Sequence, residues 1–162
     1  MSYDRFDTLV AELKKTTFYT DPASTRFHCS YEGGLYEHSK HVMDNLLNLT
    51  VSQRLKWEDP ESPHIIGMAH DICKIGAYLP DGYGGYYYYK DQPQGHGSLS
   101  VRRLLQYIDL TDEEISCIRW HMGAFDKEEN WNRYTAALRK YPNVLWTHTA
   151  DMMATNFDEG GI

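Results

Sequence analysis

Long hydrophobic runs are missing from this 162-residue sequence. None approaches the ~20 apolar residues that a membrane-spanning helix needs, and the first residues carry no signal-peptide pattern. Cysteine is scarce: Cys29, Cys73 and Cys117 lie far apart, with no Cys-x-x-Cys pair. An odd, scattered set of thiols argues against a disulfide framework and for a reducing compartment, so a cytoplasmic protein is expected. Basic clusters are also lacking. Sixteen Lys and Arg stand against 23 Asp and Glu, a net charge of −7, and the basic residues gather only in pairs such as Lys14-Lys15, Arg102-Arg103 and Arg139-Lys140. That is a poor footprint for gripping long nucleic acid. It leaves room for a small anionic substrate, because a bound metal reverses the charge locally. No alternating strand pattern of useful length, no internal repeat and no linker is present. With 41% hydrophobic and 24% charged residues the composition is that of an ordinary globular chain. One domain over residues 1–162 is expected, large enough to bury about 70% of the unfolded chain's surface.

What is present reads as helices. Phe6, Leu9, Val10 and Leu13 follow the i, i+3, i+4, i+7 spacing of one helix face. Leu35, Val42, Leu46 and Leu49 define a longer second helix, with His38 inside the stripe. A third is expected from Pro63 to Cys73, and a fourth from about Ser98 to Tyr107. Thr111-Asp112-Glu113-Glu114 has the form of a capping box, opening a fifth helix that carries Ile115, Ile118 and His121. Pro142 suits the first turn of a last helix, Asn143 to about Asn156, with Leu145, His148, Asp151 and Met152. The stretch GAYLPDGYGGYYYYKDQPQG interrupts this series; its Gly and Pro forbid a helix and predict a turn or short hairpin inserted near 77–95. The acidic, glycine-containing segment 157–162 is expected to fray. The fold class is therefore all-α, a compact single-domain helical bundle.

Placed on these helices, the histidines form a series. A lone histidine on an apolar face is usually a satisfied core residue, and His70-Asp71 inside HIIGMAHDIC reads alone as a buried hydrogen-bonded pair. Here His38, His70, Asp71, His96, His121 and Asp151 come from five consecutive helices, several pointing into one interior. Helices that each offer one or two ligands enclose a metal site in a bundle core. Imidazole with carboxylate suits Mn, Fe, Zn, Co or Ni, with Mg also admissible, and does not choose between them.

The order H…HD…H…H…D, with GGLYEHS around His38, AHDICKIG around His70-Asp71, GHGSLS around His96, RWHMG around His121 and HTADMMA around Asp151, resembles the HD-domain superfamily of metal-dependent phosphohydrolases over about residues 27–156. The resemblance implies an HD-type helical fold and a core metal site of His38, His70, Asp71 and Asp151. It implies that His96 and His121 complete a two-ion centre, and that Lys74, three residues after Asp71, contacts substrate phosphate. Asp71, Lys74, His96 and His121 would then be the catalytic groups. The nearest variants it suggests are single-domain HD hydrolases and the HD part of bacterial 3′–5′ exoribonucleases. The nucleic-acid-binding domain that accompanies the latter is not seen in these residues. Hydrolysis of a phosphoester or phosphoanhydride bond of a small nucleotide, by a metal-activated water, is therefore the expected activity. The alternatives are a 3′–5′ exonuclease or phosphodiesterase on short oligonucleotides or cyclic nucleotides, and a non-catalytic metal-containing regulatory module. A domain of this kind is also compatible with a homodimer.

Further candidates for substrate contact are Arg26, His28 and Tyr88. The run Tyr86 to Tyr89 reads either as hairpin packing or as a flap whose rings stack on a base, with Gly82, Gly84 and Gly85 allowing movement. His41 falls at the edge of the second helix stripe. His148 competes with Asp151 on one face, where the Ala-Asp match favours the aspartate and leaves His148 as pocket wall. His64 is expected at the surface near a helix start, and Arg119 and Arg133 are weaker phosphate candidates. Finally, Asp71 on an apolar helix is a desolvated charge, so Asp71→Ala is expected to leave the metal-free fold as stable or more so.

Overall fold

The computed structural model describes residues 3–25, 28–89 and 95–160. Within them lie seven α-helices: α1 (Asp4–Leu13), α2 (Gly34–Ser52), α3 (Ser62–Ala69), α4 (His96–Leu104), α5 (Asp112–Arg119), α6 (Trp131–Lys140) and α7 (Asn143–Met153). Two short antiparallel strands, β1 (Tyr78–Pro80) and β2 (Tyr86–Tyr88), pair Tyr78 with Tyr88 and Pro80 with Tyr86. They form the hairpin expected in the 77–95 insertion. Asp81 shapes its turn by accepting from the Tyr83 and Gly85 amides at 2.7 and 3.0 Å. Among the described residues no helix is long and apolar enough to cross a membrane.

The apolar stripes meet in one core. Leu9, Leu13, Leu35, Leu46, Ile65, Ile66, Leu104 and Ile118 are all out of solvent, and burying a side chain of that size contributes roughly 1.5–3 kcal/mol. Helix α2 is the axis, with α3 and α7 packed on it, while α4 packs on α5. Two of these contacts need glycine. A Cβ on Gly67 of α3 would lie 2.4 Å from the Met43 Cα of α2, and one on Gly97 of α4 would lie 2.1 Å from the Arg119 carbonyl oxygen at the end of α5. Backbone meets backbone at both points, and the helix ends that carry the candidate ligands are drawn together there.

The capping box predicted at Thr111 is present. The Thr111 side chain accepts from the Glu114 amide and Glu114 accepts from the Thr111 amide, at 3.1 and 2.9 Å. The same buried carboxylate holds Arg5 of α1 in a two-pronged pair at 2.8 and 2.9 Å, locking the first helix to the fifth.

Four expectations are corrected. The third helix stops at Ala69 rather than Cys73. The chain leaves it at Asp71 (φ −111°, ψ 17°) and makes a separate 3-10 turn, Ile72–Lys74. The fourth helix is shifted toward the N-terminus, opening at His96 and closing at Leu104. An additional helix, α6, packs Tyr134, Ala137 and Leu138 against the core. Past α7 the chain does not fray at 157: Ala154–Asp158 forms a π-helical turn, and the Glu159 side chain behind it is only 2% exposed.

Candidate metal centre

An α-helix leaves its last four carbonyls without intrahelical partners, and this chain uses two such ends in the same way. His70 follows α3 directly, and its Nδ1 lies 2.9 Å from the Gly67 carbonyl oxygen. His121 follows α5 by two residues, with Nδ1 2.7 Å from the Ile118 carbonyl oxygen. A carbonyl only accepts, so each Nδ1 carries the proton and donates it. In the neutral ring each Nε2 is then left with a lone pair, in a side chain with no exposed surface.

Those nitrogens converge on carboxylates. His70 Nε2 is 3.5 Å from Asp71 Oδ2, and His121 Nε2 is 3.3 Å from Asp71 Oδ1. The latter contact is off hydrogen-bond alignment, and His121 Nε2 has no hydrogen-bond partner among the described residues. From α2, His38 brings its Nε2 to 3.3 Å from His70 Nε2 and 3.1 Å from Asp151 Oδ1 of α7. Donor atoms of His38, His70 and Asp71 all lie within 4.8 Å of one another, a buried group that can hold a metal ion. Asp151 and His121 flank it.

The electrostatics show what the cluster lacks. Burial pushes His70 down to about 4, so its ring is neutral at physiological pH. Burial would also lower His38, but hydrogen bonds and charge from Asp151 and Glu159 override it and carry His38 up to about 9. Asp71 likewise lifts His121 against the effect of burial. Burial alone would raise the carboxyl groups. Instead Lys74, His70 and His121 hold Asp71 well below its ordinary value, and His38 and His70 bring Asp151 to about 2. Two carboxylates beside an imidazole that burial keeps neutral near physiological pH thus draw positive charge inward. Asp151 and Glu159 favour a proton on His38, and Asp71 favours one on His121. A divalent ion can supply the same charge, since the Nε2 atoms of His38, His70 and His121 face the carboxylates.

Lys74 is delivered by the 3-10 turn after Asp71 and sits 2.8 Å from Asp71 Oδ2, with its side chain 13% exposed. His96 is not in the tight group of His38, His70 and Asp71, but it feels the charges of Asp71, Lys74 and His121. It opens α4 half-buried, with Nδ1 3.4 Å from the Cys73 thiol. It also lines a cavity of about 370 Å³ together with Arg119, Phe125, Asp126, Lys127, Glu129 and Asn130. His28 packs its ring on His38 at 4.5 Å between centroids. Tyr88 is 42% exposed and pairs its ring with Tyr78 at 5.6 Å. Arg26 lies outside the described residues. His148 donates from Nδ1 to the His121 carbonyl oxygen at 2.8 Å, supporting the turn that carries His121.

Glu159 joins the cluster from beyond α7. Both its oxygens lie 3.0 Å from His38 Nδ1, and one also meets His28 Nδ1 at 3.1 Å and the Cys29 thiol at 2.9 Å. His41 Nδ1 is 3.5 Å away. An Asp-Glu pair before two glycines offers no signal in the sequence, because the approach depends on the π turn. Comparison with protein-family models, curated proteins and solved structures finds no match for the chain, so function has to be read from the chemistry of the cluster.

Proposed function

We propose that the protein is a metal-dependent phosphohydrolase of the HD-domain type, cleaving a phosphoester or phosphoanhydride bond of a small nucleotide. One observation carries this: His70 and His121, each pinned through Nδ1 to a helix-end carbonyl, turn buried Nε2 atoms toward the same Asp71 carboxylate. Neutral lone pairs facing a carboxylate repel, and burial makes the repulsion costly unless a cation lies between them. His38, His70, Asp71 and Asp151 would hold that ion, with His121 completing the set. Mn, Fe, Co, Ni, Zn and Mg are the candidates. A divalent ion bound there lowers the pKa of a coordinated water from 15.7 to roughly 7 and polarises a phosphoryl oxygen.

The chain's own groups supply the rest. Lys74 places a compact positive charge at the edge of the cluster, where a phosphate oxygen can compete with Asp71 for it. Asp71 accepts from Lys74 and holds that ammonium in place until a phosphate arrives. The cavity beside His96 sets Arg119 and Lys127 against Asp126 and Glu129, with Arg119 already paired to Asp126 at 3.0 Å, and offers Phe125, 71% exposed, as an aromatic face. The aromatic face suits a base, while the balanced charges leave the phosphate to Lys74 and the cluster. The net charge of −7 and the lack of a basic stripe favour such a substrate over long nucleic acid.

A phosphate-release screen tests the proposal. Nucleoside mono-, di- and triphosphates, cyclic dinucleotides and short RNA would each be incubated with Mn, Fe, Co, Ni, Zn or Mg. The expected result is metal-dependent release from a mononucleotide that Asp71→Ala abolishes. An active Asp71→Ala protein overturns the mechanism. Tight ion binding with no release from any substrate makes the protein a binding module instead.

A further inference from the structure

We infer that Glu159 is a positioning residue for the metal centre, fixing the ring of His38 from behind; the inference rests on the metal-centre reading above. His70 and His121 solve the problem of ring orientation with free carbonyls at helix ends. His38 cannot, because it lies inside α2, where the helix bonds its own carbonyls. Its Nδ1 needs another acceptor, and the one present is the Glu159 carboxylate, with both oxygens at 3.0 Å. With Nδ1 donating to Glu159, it is Nε2 of His38 that faces Asp71, Asp151 and His70, and once its proton gives way to an ion that atom offers a lone pair as the other two histidines do. A carboxylate behind a ligating imidazole sets its tautomer, restricts its rotation and raises its basicity.

The approach of Glu159 is built rather than incidental. The chain leaves α7 through the π turn Ala154–Asp158, and the Glu159 amide donates back to the Ala154 carbonyl at 3.0 Å. Asp158 Oδ2 accepts from Asn45 Nδ2 at 2.6 Å. Asn45 is two turns beyond His38 on α2, so one face of that helix anchors both residues. Within the pocket so formed, His28 and the Cys29 thiol share the same carboxylate oxygen. Donor atoms of His28, His38 and Glu159 also lie within 4.8 Å of one another. Yet the carboxylate already occupies the centre of that group, hydrogen-bonded on several sides, and it serves His38 as an acceptor rather than binding an ion of its own.

The test uses Co²⁺ and Mn²⁺ on the full chain: affinity by chelator competition, stoichiometry by elemental analysis, and the visible spectrum of the Co²⁺ form. Glu159→Ala is expected to weaken ion affinity roughly 10–100-fold, with the same number of ions bound at saturation and a shifted Co²⁺ band. Glu159→Gln should recover part of the loss, since its amide oxygen still accepts from His38. Asn45→Ala, which frees Asp158, should weaken binding in the same direction by less. If Glu159→Ala fails to fold, the Gln and Asn45→Ala variants carry the test. Unchanged affinity beside a lower melting point in chelator would make Glu159 a brace for the fold only. Loss of one ion, with the remainder held at wild-type affinity, would make it a ligand. Either result overturns the inference while sparing the metal-centre reading; a wild type that takes up no ion overturns both.

Discussion

Lys74 and Asp71 face each other at 2.8 Å with side chains 13% and 5% exposed, and this pair reverses an expectation drawn from sequence. A helical Asp71 surrounded by apolar residues would be a charge whose removal costs the metal-free fold nothing. In the folded chain Asp71 is not helical, and its loss strands an ammonium group. Removing one partner of a buried ion pair costs about 3–5 kcal/mol. Asp71→Ala should therefore unfold at lower urea than wild type in chelator, and Asp71→Ala/Lys74→Met should recover most of the difference. Equal midpoints for wild type and Asp71→Ala would mean that Lys74 swings out to water. A second residue sets a pH dependence. His64 is half-buried, its ring 5.1 Å from that of Tyr3 and 5.4 Å from that of Phe6, with Nδ1 lacking a hydrogen-bond partner among the described residues. Burial lowers its pKa, so the unfolded chain takes up the proton first. The stability it contributes is present above its unfolded pKa of about 6.5 and is lost as pH falls below that value. His64→Phe keeps the ring and cannot titrate. Between about pH 7.5 and about pH 5.5 wild type should lose more stability than this variant, read as urea midpoints. Parallel losses would assign the acid sensitivity to other groups.

The ends of helices, more than their middles, decide where the ligands point. Stripes such as Leu35, Val42 and Leu46 were legible because an amphipathic period survives any tertiary arrangement. The capping box at Thr111 was legible because its two bonds are local. The stop at Ala69 was not: no Gly or Pro marks it, and the turn at Asp71 is held by groups as remote as His121. Helix α6 escaped because its buried edge is thin, Tyr134, Ala137 and Leu138, and its first residue finds no side-chain cap. The candidate ligands were readable as residue types in order, whereas Glu159 required knowledge of a π turn. Gly67 shows how an element sets the site. A methyl group there meets the Met43 Cα at 2.4 Å, so Gly67→Ala must push α3 off α2 and widen the 3.3 Å gap between His38 and His70. Overpacking of this kind costs about 1–3 kcal/mol. The variant should melt lower than wild type and bind Co²⁺ more weakly. Lower melting with wild-type ion affinity would show that the strain dissipates before it reaches the histidines.

Across the whole molecule, the candidate ligands come from α2, the ends of α3 and α5, and α7, so one ion would join elements from His38 to Asp151. The hydrophobic core is made of side chains that are not candidate ligands, among them Leu9, Leu13, Phe18 and Leu104, all fully buried. The chain should therefore stay folded in chelator and melt cooperatively, unlike small domains whose core is a metal. Adding metal then stabilises by mass action, by about 2.7 kcal/mol at a hundred times the dissociation constant, less whatever the unfolded chain binds through its histidines. For a chain of this size each kcal/mol moves the melting temperature by roughly 2–4 °C, so a rise of roughly 5–11 °C is the expected ceiling at that loading. Asp71→Ala/Lys74→Met supplies the contrast. It keeps the core and the other histidines but lacks the carboxylate that His70 and His121 share, so its melting temperature should be nearly independent of metal. A rise of equal size in both proteins would trace the effect to ions bound elsewhere on an acidic surface. No rise in wild type with any of the six metals would leave the aimed Nε2 atoms of His70 and His121 as a proton trap and remove the ground for hydrolysis.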